Sequence, residues 1–183
     1  IRHQVLIVSD EIHSDLIFHG KKHIPTATLS EEIAAYVITC TSGTKTFNLA
    51  GIQAAAIVFP NQELKGVYDR FWVNLDIHRN NAFSSVIMET AFNEGEEWLE
   101  QLLEYISGNF DFIREYCREH IPQIKPNLPD ATYLVWLDCR ELGMSNEELK
   151  NFMIHKAGLG LNEGWSFGRS LSGYMRLNAA CPR

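Results

Sequence analysis

Apolar positions along this chain are grouped in two periods. Residues 4–8 are a continuous apolar, largely β-branched run, which predicts a strand buried on both faces of a parallel sheet. Residues 36–40 predict a second buried strand. Residues 54–59, closed by Pro60, predict a third, although their alanines equally suit a helix. Residues 16–28 are loop-like, and Ser30-Glu31-Glu32 has the pattern of a helix N-cap with acids in the first turn. Amphipathic helices are expected over 62–72, 83–92 and 96–120. In the last, Trp98, Leu102, Leu103, Ile106, Phe110, Ile113 and Cys117 make a stripe at three- and four-residue spacing, with Gly108 and Asn109 as places to bend or break. The helical aromatics are expected in the core.

Three prolines between 122 and 129 end that helix, and a second region follows. It reads as a strand over 132–138, then a helix from Ser145 to about Ala157, opened by a capping box and closed by Gly158. A short strand over 159–161, a glycine-flanked loop over 162–169 and a last strand over 173–181 complete it. The chain opens without a methionine and enters an apolar run almost at once, so part of a longer protein is expected.

Charge narrows the partners. A net charge of -7 argues against a general binder of nucleic acid or anionic membranes. No apolar run is long enough to span a bilayer as a helix. Cys40, Cys117, Cys139 and Cys181 form no C-x-x-C pair, and buried free thiols in a reducing cytosol are the expectation.

The candidate chemistry clusters where predicted strands end. Lys45 sits in Thr41-Ser42-Gly43-Thr44-Lys45-Thr46, just after the second strand. Desolvation or positive neighbours free a lysine amine to attack carbonyls. Our reading is that Lys45 carries an aldehyde cofactor as a Schiff base and that Ser42 and the turn hold its phosphate. The turn is not a nucleotide P-loop, because Thr44 rather than Gly precedes the lysine. A Ser42–Lys45 dyad is a rival. Asp10, after the first strand, is either a turn or cap residue or an anion set against a pyridine nitrogen. His13 is either a neighbour of the same ring or a surface histidine. Asp10, Glu11, His13 and Asp15 lie too close in one segment to close a metal sphere. Arg176, mid-strand, either faces solvent or an acid, or grips a substrate carboxylate with its planar fork. Trp165 and Phe167 either line an active-site mouth or anchor their loop.

The order of three motifs carries a resemblance. Asp-Glu-Ile-His-Ser-Asp (10–15), Thr-Ser-Gly-Thr-Lys-Thr-Phe-Asn-Leu-Ala-Gly (41–51) and Met-Arg-Leu-Asn-Ala-Ala-Cys-Pro-Arg (175–183) together resemble the fold-type I pyridoxal-phosphate (PLP) enzymes, the aspartate aminotransferase superfamily. Within it the chain is similar to the MalY/PatB-type cystathionine β-lyases, and to their C-terminal half alone. The resemblance implies an α/β fold: part of the large-domain mixed sheet of a PLP-dependent transferase (residues 1–92) and a smaller α+β C-terminal domain with a long linking helix (93–183). It implies PLP as cofactor, Lys45 as the Schiff-base lysine, and Asp10 on the pyridine nitrogen. It places His13 where many aminotransferases have a tyrosine, Ser42 on the phosphate and Arg176 on the substrate carboxylate. The implied activity of the parent is β-elimination from a sulfur-containing L-amino acid to pyruvate, ammonia and a thiol, in a cytoplasmic homodimer. An aminotransferase, or a non-catalytic protein that keeps the fold and binds a regulatory protein, are the alternatives. Many aminotransferases place a phosphate-binding arginine about eight residues after the lysine. Here no arginine lies between Lys45 and Arg70, which fits the lyase branch better.

Overall fold

The structure is a computed structural model that describes residues 2–77 and 81–182, so Arg183 of the third motif lies outside the described residues. The chain divides into two compact units, residues 1–101 and 102–183. The first is built on a three-stranded sheet in the order β1 (Ile7–Asp10), β2 (Val37–Thr41), β3 (Ala56–Val58). β1 and β2 are parallel, with Asp10 level with Cys40, and β3 is antiparallel to β2. The parallel pair therefore delivers two chain ends to the same edge of the sheet: the acidic turn after β1 and the lysine turn after β2. Helix α1 (Glu31–Ala34) is capped by the Ser30 side chain, as its sequence predicts. Helices α2 (Gln62–Asn74) and α3 (Ser84–Glu94) follow, α2 starting from the Asn61 side chain as N-cap. The buried apolar set of this unit is small: Leu16, Phe18 and Val37.

The second unit holds a four-stranded antiparallel sheet in the order β4 (Lys125–Asn127), β5 (Leu134–Asp138), β7 (Tyr174–Asn178), β6 (Asn162–Glu163). Helix α4 (Glu96–His120) enters it from the first unit, and α5 (Asn146–His155) lies between β5 and β6 in sequence. Alternation gives the sheet two chemistries. Val135, Leu137 and Met175 are buried on one face, and Leu137 stands opposite Met175. On the other face Trp136 and Asn162 both stand opposite Arg176. Ile106, Phe110 and Cys117 of α4 and Leu149 and Met153 of α5 supply the rest of the core.

The differences from the sequence reading have physical causes. β1 is an edge strand paired only with β2 among the described residues, so Val5, Leu6, Ile7 and Val8 are exposed rather than buried on both faces. In α3, Ser84 is buried and Val86 exposed. α4 does not break at Gly108: Asn109 is buried inside it and its amide is used elsewhere in the unit. Of the helical aromatics Phe110 is in the core. Phe112, Tyr116 and His120 instead stack along one exposed flank at successive four-residue steps. The proline segment forms β4, where Pro126 is tolerated because β4 is an edge. α5 has both halves of its capping box but ends at His155, with Gly158 left-handed just beyond. The short strand falls at 162–163, after the predicted 159–161. All four cysteines are free, and the expectation of burial holds for Cys117 and Cys139, whereas Cys40 is intermediate and Cys181 is exposed.

Candidate active site

The acidic turn is drawn back against β2 as soon as β1 ends: Glu11 N–H donates to the Cys40 carbonyl at 2.8 Å. Ser14 N–H then bonds Glu11 O, and Leu16 N–H bonds His13 O, so the turn coils tightly around fully buried Leu16. Glu11 points inward. Its carboxylate accepts from Ser9 Oγ at 2.9 Å and from Thr26 N–H at 3.0 Å, and His23 Nε2 lies 2.9 Å away. Burial pushes the Glu11 pKa up, but these partners together outweigh it and hold the carboxyl below its ordinary value. Sequence reasoning took Glu11 as one of a cluster of acids; its job here is to tie the 19–26 loop to the end of β1.

The lysine turn is a helical coil, with Phe47 N–H on Gly43 O and Leu49 N–H on Thr44 O. Gly43 is closely packed: a Cβ would come 3.0 Å from the Phe47 ring and 3.3 Å from Met88, so those side chains would have to shift to admit one. Thr46 is fully buried, and its hydroxyl donates to Asp15 Oδ2 at 2.8 Å. That bond joins the two turns directly. A hydroxyl next to a lysine carries no signal in the sequence that would mark it as the tie.

His13 reports that the predicted residues come together. Burial lowers its pKa, Lys45 lowers it further, and Asp10 opposes both. The strand pairing and the Thr46–Asp15 bond bring the two turns to one neighbourhood at the C-terminal edge of the parallel pair, within electrostatic reach of one another. Ser42 is buried in the same turn. Its hydroxyl donates to the Ala54 carbonyl at 2.5 Å and lies 2.8 Å from Thr44 Oγ1, and Thr44 N–H donates back to it at 3.0 Å. In this rotamer the Ser42 proton is committed to the backbone, and the hydroxyl must turn from Ala54 to donate to an anion. A cavity of about 610 Å³ between β3 and α2–α3 is lined by Ala54, Ile57, Tyr68, Trp72, Met88 and Phe92, and by none of the predicted site residues.

Arg176 lies in the second unit, on the outer face of its sheet. Nη2 donates to Asn162 Oδ1 at 3.2 Å, and the guanidinium lies 4.3 Å from the centre of the Phe167 ring. Nε is buried and has no acceptor among the described residues. With no acid on it among the described residues, the guanidinium keeps its charge available to an incoming anion.

The donor set of the first unit fits PLP. It offers an amine for an aldehyde, a carboxylate for a protonated ring nitrogen, an imidazole held toward its neutral form, and hydroxyls in a turn for a phosphate. The whole chain, residues 1–183, matches the profile of the class I and II aminotransferases. The chain belongs to that family. This class I/II chain is 39% identical over 181 residues to cystathionine β-lyase PatB of Bacillus subtilis, covering 99% of the chain and 47% of PatB. Among solved structures it is similar to a PLP-bound protein of Clostridium difficile 630 (TM-score 0.95, 46% identity, 99% of this chain and 47% of that one). It is also similar to cystalysin from Treponema denticola, which contains PLP (TM-score 0.92, 32% identity, 97% and 45%). The α/β architecture is thus that of the PLP-dependent aminotransferase fold. The chain spans about half the length of the curated relatives it matches.

Proposed function

We propose that the protein to which this chain belongs is a PLP-dependent carbon–sulfur β-lyase, and that this chain carries its lysine-bearing half. One observation carries the reading: the parallel pairing of β1 and β2 sets the turn of Asp10 and His13 beside the turn of Lys45, and the Thr46–Asp15 bond ties the two together. The names of the relatives, cystathionine β-lyase in Bacillus subtilis and in Corynebacterium glutamicum, support the substrate class.

Bound PLP supplies the electron sink that makes a substrate α-proton removable. The chain supplies the groups that exploit it. Asp10 holds the proton on the ring nitrogen. Lys45, once its amine is free, takes the α-proton. His13, its pKa lowered by burial and by Lys45, stays neutral beside that amine and adds no second positive charge. Ser42, once its hydroxyl turns from Ala54, would hold the phosphate, and Arg176 would grip the α-carboxylate. The substrate is a sulfur-containing L-amino acid, and the products are pyruvate, ammonia and a thiol. A cytoplasmic homodimer is part of this reading, as is a regulatory protein partner as a second role.

The test uses borohydride reduction and intact mass. Incubation with PLP and reduction must add one phosphopyridoxyl group at Lys45, and a Lys45→Ala variant must add none. In the full-length protein, pyruvate release from cystathionine without a keto acid identifies the lyase, whereas keto-acid-dependent amino transfer identifies an aminotransferase. No labelling at Lys45 overturns the reading.

A further inference from the structure

The face of the second sheet opposite its core carries an arrangement around Arg176. Three strands contribute to one row: Trp136 from β5, Arg176 from β7 and Asn162 from β6 share register positions. Phe167, from the loop after β6, covers the guanidinium at 4.3 Å and meets Trp136 edge-on at 5.5 Å and 86°. The turn that carries Phe167 is pressed onto the chain around β7. A Cβ at Gly164 would come 2.4 Å from the Leu171 carbonyl and 2.7 Å from that of Tyr174, so only glycine fits. The aromatic face and the amide are therefore held against the arginine by backbone packing.

The charges nearby are disposed differently. Arg176 has no ion pair among the described residues; its oxygen partner is the neutral amide of Asn162. The adjacent acid, Glu163, is one register position on, level with Met175, and its carboxylate is bound to Lys150 at 2.9 Å. Asp138 is likewise engaged, by a fork from Arg140 at 2.9 and 2.6 Å. A carboxylate at position 162 would make the same hydrogen bond and cancel the guanidinium charge. An amide orients without neutralising.

We propose that Asn162 and Phe167 are positioning residues that fix the plane of Arg176 while leaving its charge uncompensated, so that its remaining N–H donors select a carboxylate. The proposal rests on the reading that Arg176 receives the substrate carboxylate. Asn162 takes one donor of Nη2, Phe167 blocks one face of the plane, and the remaining Nη donors have no carboxylate on them among the described residues, so they are left to meet an anion, while Nε itself is buried. Asn162 thus sets the charge of the site by what it lacks.

The experiment titrates the 183-residue chain with propionate and follows the Arg176 Nε–H resonance by ¹H–¹⁵N NMR, with propionamide as the uncharged control. The wild type is expected to shift saturably with propionate and not with propionamide. Asn162→Asp should weaken propionate at least tenfold and more than Asn162→Ala does, because Ala removes orientation but adds no charge. Phe167→Tyr should retain the response and Phe167→Leu should lose much of it. Circular dichroism confirms that each variant is folded. If Asn162→Asp binds propionate like the wild type, or Tyr and Leu at 167 behave alike, the positioning roles are overturned while the reading of Arg176 stands. If the wild-type resonance ignores propionate, the carboxylate role of Arg176 falls, and these roles fall with it. Labelling of Lys45 is independent of both results.

Discussion

Replacing Asn109 by alanine tests whether a buried amide in the long helix secures the strand that bears Arg176. Asn109 is 4% exposed, and its Nδ2 donates to the carbonyls of Ala179 at 2.8 Å and Cys181 at 3.0 Å, just past β7. Each such bond contributes about 0.5–1.5 kcal/mol net. The Ala179 residue is buried, so its carbonyl is left stranded, at a cost of about 1–3 kcal/mol, whereas exposed Cys181 recovers water. One effect runs the other way. Asn109 Oδ1 is buried without a partner among the described residues, and its removal relieves about 1 kcal/mol or more. The balance is a loss of about 2 kcal/mol, which is roughly thirtyfold in a local opening equilibrium. Amide hydrogen exchange of Leu177, Asn178 and Ala179 reads that equilibrium without requiring the two units to unfold together. Asn109→Asp should cost more than alanine at neutral pH, since it sets a carboxylate against two carbonyls. Exchange within threefold of the wild type in the alanine variant would refute the reasoning, and so would an aspartate variant as well protected as the wild type.

Three further outcomes are expected. The His13 pKa, followed by NMR of its ring proton, should rise in Lys45→Ala and fall further in Asp10→Asn; an unmoved titration in both would mean that the three residues are not neighbours. The Arg140 fork holds the Asp138 carboxyl at about 2, so its contribution to stability is complete above the ordinary aspartate range of about 4 and is lost as pH falls through about 2. Asp138→Asn should therefore destabilise the protein at pH 6 and make little difference at the acid end, in a comparison of denaturation midpoints against pH. Burial, with Asp138 and Cys117 nearby, pushes the Cys139 thiol up to about 12, and burial also raises Cys117. Ellman's reagent should modify Cys181 rapidly in the folded protein, and Cys139 and Cys117 only on unfolding.

The parts of the fold legible in the sequence were those with a local cause. The capping box at Ser145, the cap at Ser30 and the long stripe of α4 depend on side chains within a turn or two of one another, and all three are formed. β4 was not legible, because Pro126 argues against a strand unless the strand is known to be an edge. Burial of residues 5–8 was misjudged for a related reason: an apolar run states what a strand tolerates, not what covers it. In the site, Lys45, Asp10 and His13 come from motif order, and the parallel strand pair sets their two turns side by side. The tying roles of Thr46, Glu11 and Asn162 were not legible, because each depends on a partner 12 to 31 positions away, and no short pattern encodes such a distance. Asn109 was read as a weak point of its helix when its partners lie 70 and 72 residues on.

The alternation of β7 has a consequence for how the sequence can change. Met175 is in the core and Arg176 is on the opposite face, so a shift of one position along the strand would bury a guanidinium and turn a methionine outward. The hydrophobic demand of the core thus polices the orientation of a residue it never touches. Insertions and deletions in residues 164–173 disturb the packing of Gly164 and the placement of Phe167 but leave the register of β7 intact, because β7 re-enters it through Met175 against Leu137. A single insertion between Tyr174 and Asn178 does not leave it intact. Deep insertion scanning of this region should therefore find a boundary near Gly173, with the setting of Arg176 lost before it and the fold itself lost after it, set by packing on one side of the sheet and felt as chemistry on the other.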